Sequence, residues 1–257
     1  MDNESPLVSF IIPVLHLQRP RNKKKFFMPR STLVELIDDI QKNVSVPYEI
    51  IIICNSRDSQ LVDFVTGLTG SVKFCLNSTN VGVARSWNMG ADMAEGSFLC
   101  FVNDDVRIGK DSVEKLLEYL VKNPDVGQVG PKGSVWVDCQ HSHFVGIERP
   151  EEGSAISGFM FMAREDVYRK VGGFDNAYSP AGYEEIDFGF AITNLGMKNV
   201  VIPNLDIHHN EHHGVSSFSS VIHYLGKSIS TEELHERNGR IFRKKWSNNG
   251  ESLDFKY

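Results

Sequence analysis

The segment Phe101-Val102-Asn103-Asp104-Asp105-Val106 ends the apolar run Ser97–Val102 with two adjacent carboxylates. A buried strand that stops at such a pair holds both charges at the mouth of a sheet. There they lose water and repel each other, and a divalent cation relieves both costs. An Asp after a strand is equally an ordinary loop or cap residue, so the turn alone does not separate the two. Tyr183-Glu184-Glu185-Ile186-Asp187 places three carboxylates within four residues, near Gly182 and Gly189. Acids are favoured at a helix start by its dipole. In a cleft, crowding raises a carboxylate pKa toward the range of a general base that takes a proton from an attacking hydroxyl. His208-His209-Asn210-Glu211-His212-His213 has four histidines in six residues. One imidazole there can complete a metal site begun at the Asp turn, the others being solvated; the His-Glu-x-x-His spacing of a zinc hydrolase is absent. The fourth cluster, Asn80-Val81-Gly82-Val83-Ala84-Arg85-Ser86-Trp87-Asn88-Met89-Gly90, runs from a strand end into a helix. Arg85 and free backbone N–H groups can meet a phosphate there, or Arg85 is a solvated residue of a capped helix.

These clusters need elements to position them. Val8–Val14, Tyr48–Cys54, Val72–Leu76 and Phe98–Val102 read as buried strands. Helical patterns separate them near 31–43, 58–68 and 83–95, and another follows at 111–122, where Asp111 or Ser112 supplies a cap. Strands alternating with helices predict an α/β fold with a mainly parallel sheet and right-handed crossovers. Ligands of such sheets collect at the carboxyl ends of the strands, where the Asp turn lies. Residues 132–153 read as loop and irregular strand, and Ile156–Met162 as a further buried strand. A helix begins near Arg164 and stops at Gly172-Gly173. Val200-Val201-Ile202-Pro203 is a strand whose period-2 alternation continues through Leu205, Ile207 and His209. From about residue 217 the sequence predicts an amphipathic helix packed on the domain, which divides the chain into 1–214 and a helical extension, 215–257.

Composition narrows the class. The 257 residues suffice for one large α/β domain, and 41% hydrophobic with 23% charged residues is ordinary for a globular protein. A net charge of -6 argues against general nucleic-acid binding. No apolar stretch approaches a membrane span, and Met1–Ser5 lacks a signal-peptide pattern, so a cytoplasmic location is expected. The basic stretch Arg19-Pro20-Arg21-Asn22-Lys23-Lys24-Lys25, followed by Phe26-Phe27, is either a solvated loop or a contact to anionic lipid at the inner face of a membrane. Cys54, Cys75, Cys100 and Cys139 form no Cys-x-x-Cys pair, and the first three sit in strands as core filler.

Taken in order, the clusters resemble the inverting nucleotide-sugar glycosyltransferases of family 2, with the GT-A fold, over roughly residues 7–214. Val8–Val14 is similar to that family's first strand, and Glu49–Ile53 with Cys54-Asn55-Ser56 to its second strand and base-binding loop. Asn80-Val81-Gly82 with Asn88-Met89-Gly90 is similar to its Asn-x-Gly helix. Asn103-Asp104-Asp105 stands at its Asp-x-Asp metal motif, Val171–Asp175 at its Gly-Gly-Phe-Asp segment, and Glu184–Asp187 at its Glu-Asp-x-Asp base motif. Departures are Cys54 for a base-contacting Asp, Asn103 for the first metal-motif Asp, Glu185 for Asp at the base position, and no Arg soon after Asp187. The resemblance implies metal-assisted transfer of a sugar from a UDP-, GDP- or dTDP-linked donor, with inversion, to a glycan, lipid-linked or protein hydroxyl in glycan or polysaccharide synthesis. It implies Glu185 as base and Glu184 as its support or a sugar contact. Asp105 and His209 would hold Mn2+ or Mg2+, with His208 and His212 as fallback ligands. Asn103 and Asp104 would meet ribose or sugar hydroxyls, and Pro13, Asn55 and Arg85 would line the nucleoside side. The rival expectations are a degenerate nucleotide-sugar-binding protein, motivated by Cys54 and Asn103, and a metal-dependent phosphodiesterase or nucleotidyltransferase.

Overall fold

The computed structural model describes residues 7–18, 32–209 and 220–247. The basic stretch at 19–30 and the histidines His212 and His213 lie outside the described residues. In chain order the elements are β1 (Val8–Val14), α1 (Leu33–Asn43), β2 (Tyr48–Cys54), α2 (Ser59–Thr66), β3 (Val72–Leu76), α3 (Val83–Met93), β4 (Phe98–Val102), β5 (Val106–Ile108) and α4 (Ser112–Lys122). They continue with β6 (Val126–Gly130), β7 (Gly133–Val137), β8 (Gln140–Val145), β9 (Glu151–Gly153), β10 (Ala155–Ile156), β11 (Met160–Arg164), α5 (Glu165–Val171) and α6 (Glu184–Asn194). The last are β12 (Lys198–Val201), β13 (Ile207–His209), the hairpin β14 (Val221–Tyr224) and β15 (Lys227–Ser230), and α7 (Thr231–Trp246).

Eight strands form the central sheet in the order β3-β2-β1-β4-β11-β6-β12-β9. The first four run parallel. β11 is antiparallel to both β4 and β6, and β12 returns parallel to β6. The period-2 pattern of β1 is used on both faces. Phe10, Ile12 and Val14 pack with α1, α2 and α4, whereas Ile11 packs with α3, α5 and α6. Gly90 lets α3 approach closely, since a Cβ there would lie 2.3 Å from Ile11 Cγ2. β1 sits between β2 and β4: the chain runs outward from β1 through β2 to β3, then crosses back to β4 on the other side of β1. That is the switch point at which open α/β sheets form a crevice.

One expectation for the second half is corrected and another is made more definite. The apolar run Ile156–Met162 is not one strand. Ile156 ends β10, in a small antiparallel sheet with β7 and β8, and Met160 begins β11 in the central sheet. The chain changes sheets at Ser157-Gly158-Phe159, where the Ser157 N–H reaches Lys132 O (2.8 Å) and Phe159 O accepts from the Asn103 N–H (2.8 Å). Residues 132–153, read as loop and irregular strand, hold three strands, β7, β8 and β9, and the β7–β8 pairing has a register shift at Val135/Trp136. The β7–β8 connection is a two-residue turn with positive φ at Asp138 (49°) and Cys139 (59°), the geometry that favours Asn-Gly and that Asp-Cys conceals. The tail also holds the β14–β15 hairpin ahead of its helix. Among the described residues all four cysteines are free, and no helix is long and apolar enough to cross a membrane.

Candidate active site

A cleft of about 310 Å³ opens at the carboxyl ends of β1 and β4. Its walls include Pro13 from β1, Asn55 after β2, Asn103, Asp104 and Asp105 after β4, Glu184 and Glu185 from α6, and His209 from β13. Arg85 is not among the lining residues. Its guanidinium points elsewhere and donates to Asn176 O (3.3 Å).

The acid–imidazole pair is set by strand pairing. β5 follows the Asp turn directly and runs antiparallel to β13, with Val106 opposite His209. This register brings His209 Nε2 to 3.3 Å from Asp105 Oδ1. His208, one residue out of phase, is exposed and pairs with Asp206 (2.9 Å). The His209 ring lies flat on Phe159, with centroids 4.6 Å apart and planes 6° from parallel. β5 is held from below by α1: Arg107 binds Asp39 in bidentate fashion (2.6 and 2.7 Å), and Asp39 also accepts from the Ile108 N–H (3.0 Å). The Asp105–His209 separation matches the ~3 Å between neighbouring ligand atoms of a six-coordinate ion with bonds of ~2.1 Å. Among the described residues no three His, Cys, Asp or Glu side chains converge as a metal cluster. A two-residue donor set fits an ion that takes its other ligands from phosphate oxygens and water, and does not fit a closed structural zinc site.

The acidic cluster divides by direction. Glu184 and Glu185 face the cleft. Asp187 turns away and accepts from the Tyr178 hydroxyl (3.0 Å), Lys245 Nζ (2.8 Å) and the Trp246 indole N–H (2.7 Å). Burial, and then the neighbouring Glu185 charge, hold the Glu184 carboxyl well above the usual carboxylate range. Burial also raises Glu185. Glu184 Oε2 is buried and has no hydrogen-bond partner among the described residues. Glu185 lies over the Ser157–Phe159 crossing: a Cβ on Gly158 would come within 3.3 Å of its Cδ.

The opposite wall is organised by amides. Asn55 donates to Ser86 Oγ (2.8 Å) and accepts from Asn77 Nδ2 (3.2 Å), which fixes its side chain between β2 and α3. Asn88 is fully used inside the protein: it binds Phe174 O and Asn176 and accepts from Tyr168 and the Phe174 N–H. Cys54 is buried in the core, and burial, followed by the nearby Cys75, pushes its thiol up to about 11, so it brings no charge to the cleft. Sequence reasoning gave no role to the crossing Ser157–Phe159, to Pro180-Ala181-Gly182 or to Ile222, all of which line the cleft. Gly158 and Gly182 were the available signals for the first two. Ile222, distant in sequence, left none.

A mainly parallel sheet with a switch-point crevice and an acidic turn after its fourth strand defines the GT-A class of fold. The glycosyl transferase family 2 model matches residues 25–182, more than half of the chain, and the chain belongs to that family. It is 25% identical over 163 residues to an uncharacterized glycosyltransferase of Haemophilus influenzae, covering 60% of this chain and 54% of that protein. It is 24% identical over 159 residues to the glucosyl-dolichyl phosphate glucuronosyltransferase of Haloferax volcanii, covering 55% and 50%. The crystal structure of GalNAc-T7 with UDP, GalNAc and Mn2+ superposes with a TM-score of 0.64 at 16% identity, over 81% of this chain and 44% of that one, a likeness of fold. The chain thus spans about half the length of the curated relatives it matches. The family match ends at 182, before Glu184, Glu185 and His209.

Proposed function

We propose that the chain transfers a sugar from a nucleoside-diphosphate donor to an acceptor hydroxyl by a single displacement with inversion. One observation carries this reading: the Asp105–His209 pair and the Glu184–Glu185 pair face one cleft at the switch point of the sheet. In this reading residues 1–214 form the transferase domain and 215–257 an extension packed on it. Glu185, half-buried and reachable from the cleft, takes the proton of the acceptor hydroxyl as its oxygen bonds the anomeric carbon. The bond from that carbon to the diphosphate breaks in the same step, and the nucleoside diphosphate leaves. Glu184, lifted further by burial and by Glu185, keeps its proton to higher pH and donates a hydrogen bond to the sugar or to its neighbour. Asp105 and His209 would hold Mn2+ or Mg2+, which when bound supplies charge neutralisation at the diphosphate. Asn103 and Asp104 meet ribose or sugar hydroxyls, and Pro13 and Asn55 line the nucleoside side.

The Mn2+ and UDP in the structural neighbour support a divalent ion and a uridine donor as first choices. The name of the archaeal relative points to a lipid-linked acceptor, which would bring the chain to a membrane face, where glycan or polysaccharide synthesis begins. The test is incubation with a panel of UDP-, GDP- and dTDP-sugars and Mn2+, reading released nucleotide and the anomeric configuration of the product. A free nucleoside diphosphate with inverted product supports the proposal. Pyrophosphate or a monophosphate points to a phosphodiesterase or nucleotidyltransferase, and binding without turnover to a degenerate binding protein.

A further inference from the structure

The segment 220–247 lies wholly beyond the family match, yet it is fastened to both walls of the cleft. We propose that Asn238 on α7 is a positioning residue that holds the cleft-lining loop 178–182, and through it the start of α6, in working geometry. The proposal rests on the reading of the cleft given above.

Asn238 is completely buried. Its amide nitrogen lies within hydrogen-bond distance of three carbonyls, those of Tyr178 (2.8 Å), Ala181 (3.0 Å) and Gly182 (2.8 Å). Its amide oxygen accepts from Arg237 (Nε 3.0 Å, Nη2 2.9 Å), and the same guanidinium also donates to Ser179 O and to the Tyr224 hydroxyl. Four of the five carbonyls of this loop are therefore held by two adjacent side chains of one helix. The remaining one, Pro180 O, accepts from the Val83 N–H at the start of α3 (2.8 Å). The loop leads into two consecutive left-handed residues, Gly182 (φ 89°) and Tyr183 (φ 79°), immediately before Glu184. A non-glycine residue stays in that region only when its surroundings fix it. Three residues further on, Asp187 is held by Lys245 and Trp246 from the end of α7. The two glutamates thus sit between two attachments to the same helix. On the opposite wall, Asn80 holds the β14–β15 hairpin, with Asn80 Nδ2 donating to His223 O (3.2 Å) and the Leu225 N–H to Asn80 O (2.9 Å).

The test compares the full chain with Asn238→Asp, Asn238→Ala and a control, Ser9→Ala. Asp keeps the shape and the acceptor for Arg237 but replaces the donor facing the three carbonyls, so a merely space-filling role would survive it. Ser9 is equally buried at the amino end of the sheet, bonded to Glu49 (2.7 Å) and to the Gly96 N–H (2.9 Å), and its loss gives a destabilised chain with the cleft untouched. Amide exchange over residues 178–186 is expected to quicken in both Asn238 variants and not in the control. Turnover of the donor is expected to fall on the order of 10- to 100-fold in kcat, with donor KM within about threefold, because the reacting geometry is lost more than the nucleotide contacts. Unchanged exchange in 178–186, or a kcat loss no larger than in Ser9→Ala, overturns the proposal. If the wild-type chain turns over no nucleotide sugar, the functional reading fails separately, and the exchange arm still decides whether Asn238 holds the loop.

Discussion

Glu184 and Glu185 are neighbours in sequence with unequal surroundings, and two outcomes follow from the difference. A base works only as the carboxylate, and burial raises Glu185 above its ordinary value. The acid limb of log kcat against pH should therefore lie above the ~4.3 of a free glutamate, with rate falling as pH drops through it. Glu185→Gln should remove that limb and about 10²–10⁴-fold of the rate while UDP still binds; full activity in this variant sinks the base assignment. Glu184 affects stability with a definite sign. Its folded pKa is raised by burial and by the Glu185 charge, so the protonated fold is intact at low pH and loses stability as pH rises through the folded value. Thermal melts of Glu184→Gln against wild type should converge near pH 4 and separate at neutral pH with the variant the more stable; a gap that widens toward acid would contradict the burial argument. His209→Ala should weaken Mn2+ binding in the presence of UDP by about tenfold or more, read by electron paramagnetic resonance of free Mn2+. Equal affinity would remove the imidazole from the ion. The types and positions of these residues were legible in the sequence. Their partners were not, because Phe159 stacks on His209, and Tyr178, Lys245 and Trp246 claim Asp187, across gaps that only the fold closes.

At the scale of elements, the bounds of β1 to β4 match the sequence reading because each is a mostly apolar run set off by helical patterns. But β3, at the edge of the sheet, is half-exposed rather than buried, with Phe74 and Leu76 open to solvent. The signal weakens where strands lie at an edge. β8 carries Gln140, His141, Ser142, His143 and Phe144, all exposed, so it has no apolar face to alternate with. The crossing at Ser157–Phe159 fails for the opposite reason: the apolar residues on both sides of it are buried in different sheets, and the pattern runs through without a break. Short β5 is the element that most needs outside support, since three residues carry both the Asp turn and the pairing with β13. Arg107→Leu would leave the buried Asp39 carboxylate with the Ile108 N–H and without its bidentate partner. The half-exposed arginine limits the cost to about 1.5–3 kcal/mol. Denaturant unfolding should show that loss together with weaker Mn2+ binding, because His209 is aimed through β5. Lost stability with unchanged metal affinity would mean that the β5–β13 register holds without the α1 clamp.

The whole molecule is a GT-A sheet whose cleft is finished by residues far along the chain. The central sheet and α1 to α6 contain the Asp turn and both glutamates, but the surfaces around α6 are not self-sufficient. Phe242 is fully buried among Tyr178, Tyr183, Ile186 and Phe190, and Leu234 is buried under the β14–β15 hairpin. Removing residues 220–257 uncovers this cluster, strips Asp187 of its Lys245 and Trp246 partners, and leaves the carbonyls of Tyr178, Ala181 and Gly182 without the Asn238 amide. Loss of one buried Phe side chain costs about 3–5 kcal/mol. An abandoned buried carboxylate adds about 1–3 kcal/mol. At roughly 2–4 °C per kcal/mol for a chain of this size, a chain ending at residue 219 should melt on the order of 10 °C or more below wild type. The exposed aromatic surface should also bind an apolar dye and associate on size-exclusion chromatography. The point variant Phe242→Ala separates packing from bracing. It should lower the melting temperature while the Asn238 contacts, and so the amide protection of 178–186 below that temperature, persist. A truncated chain with wild-type stability and a closed 178–186 segment would show that the transferase fold completes its own cleft and that the extension serves something else.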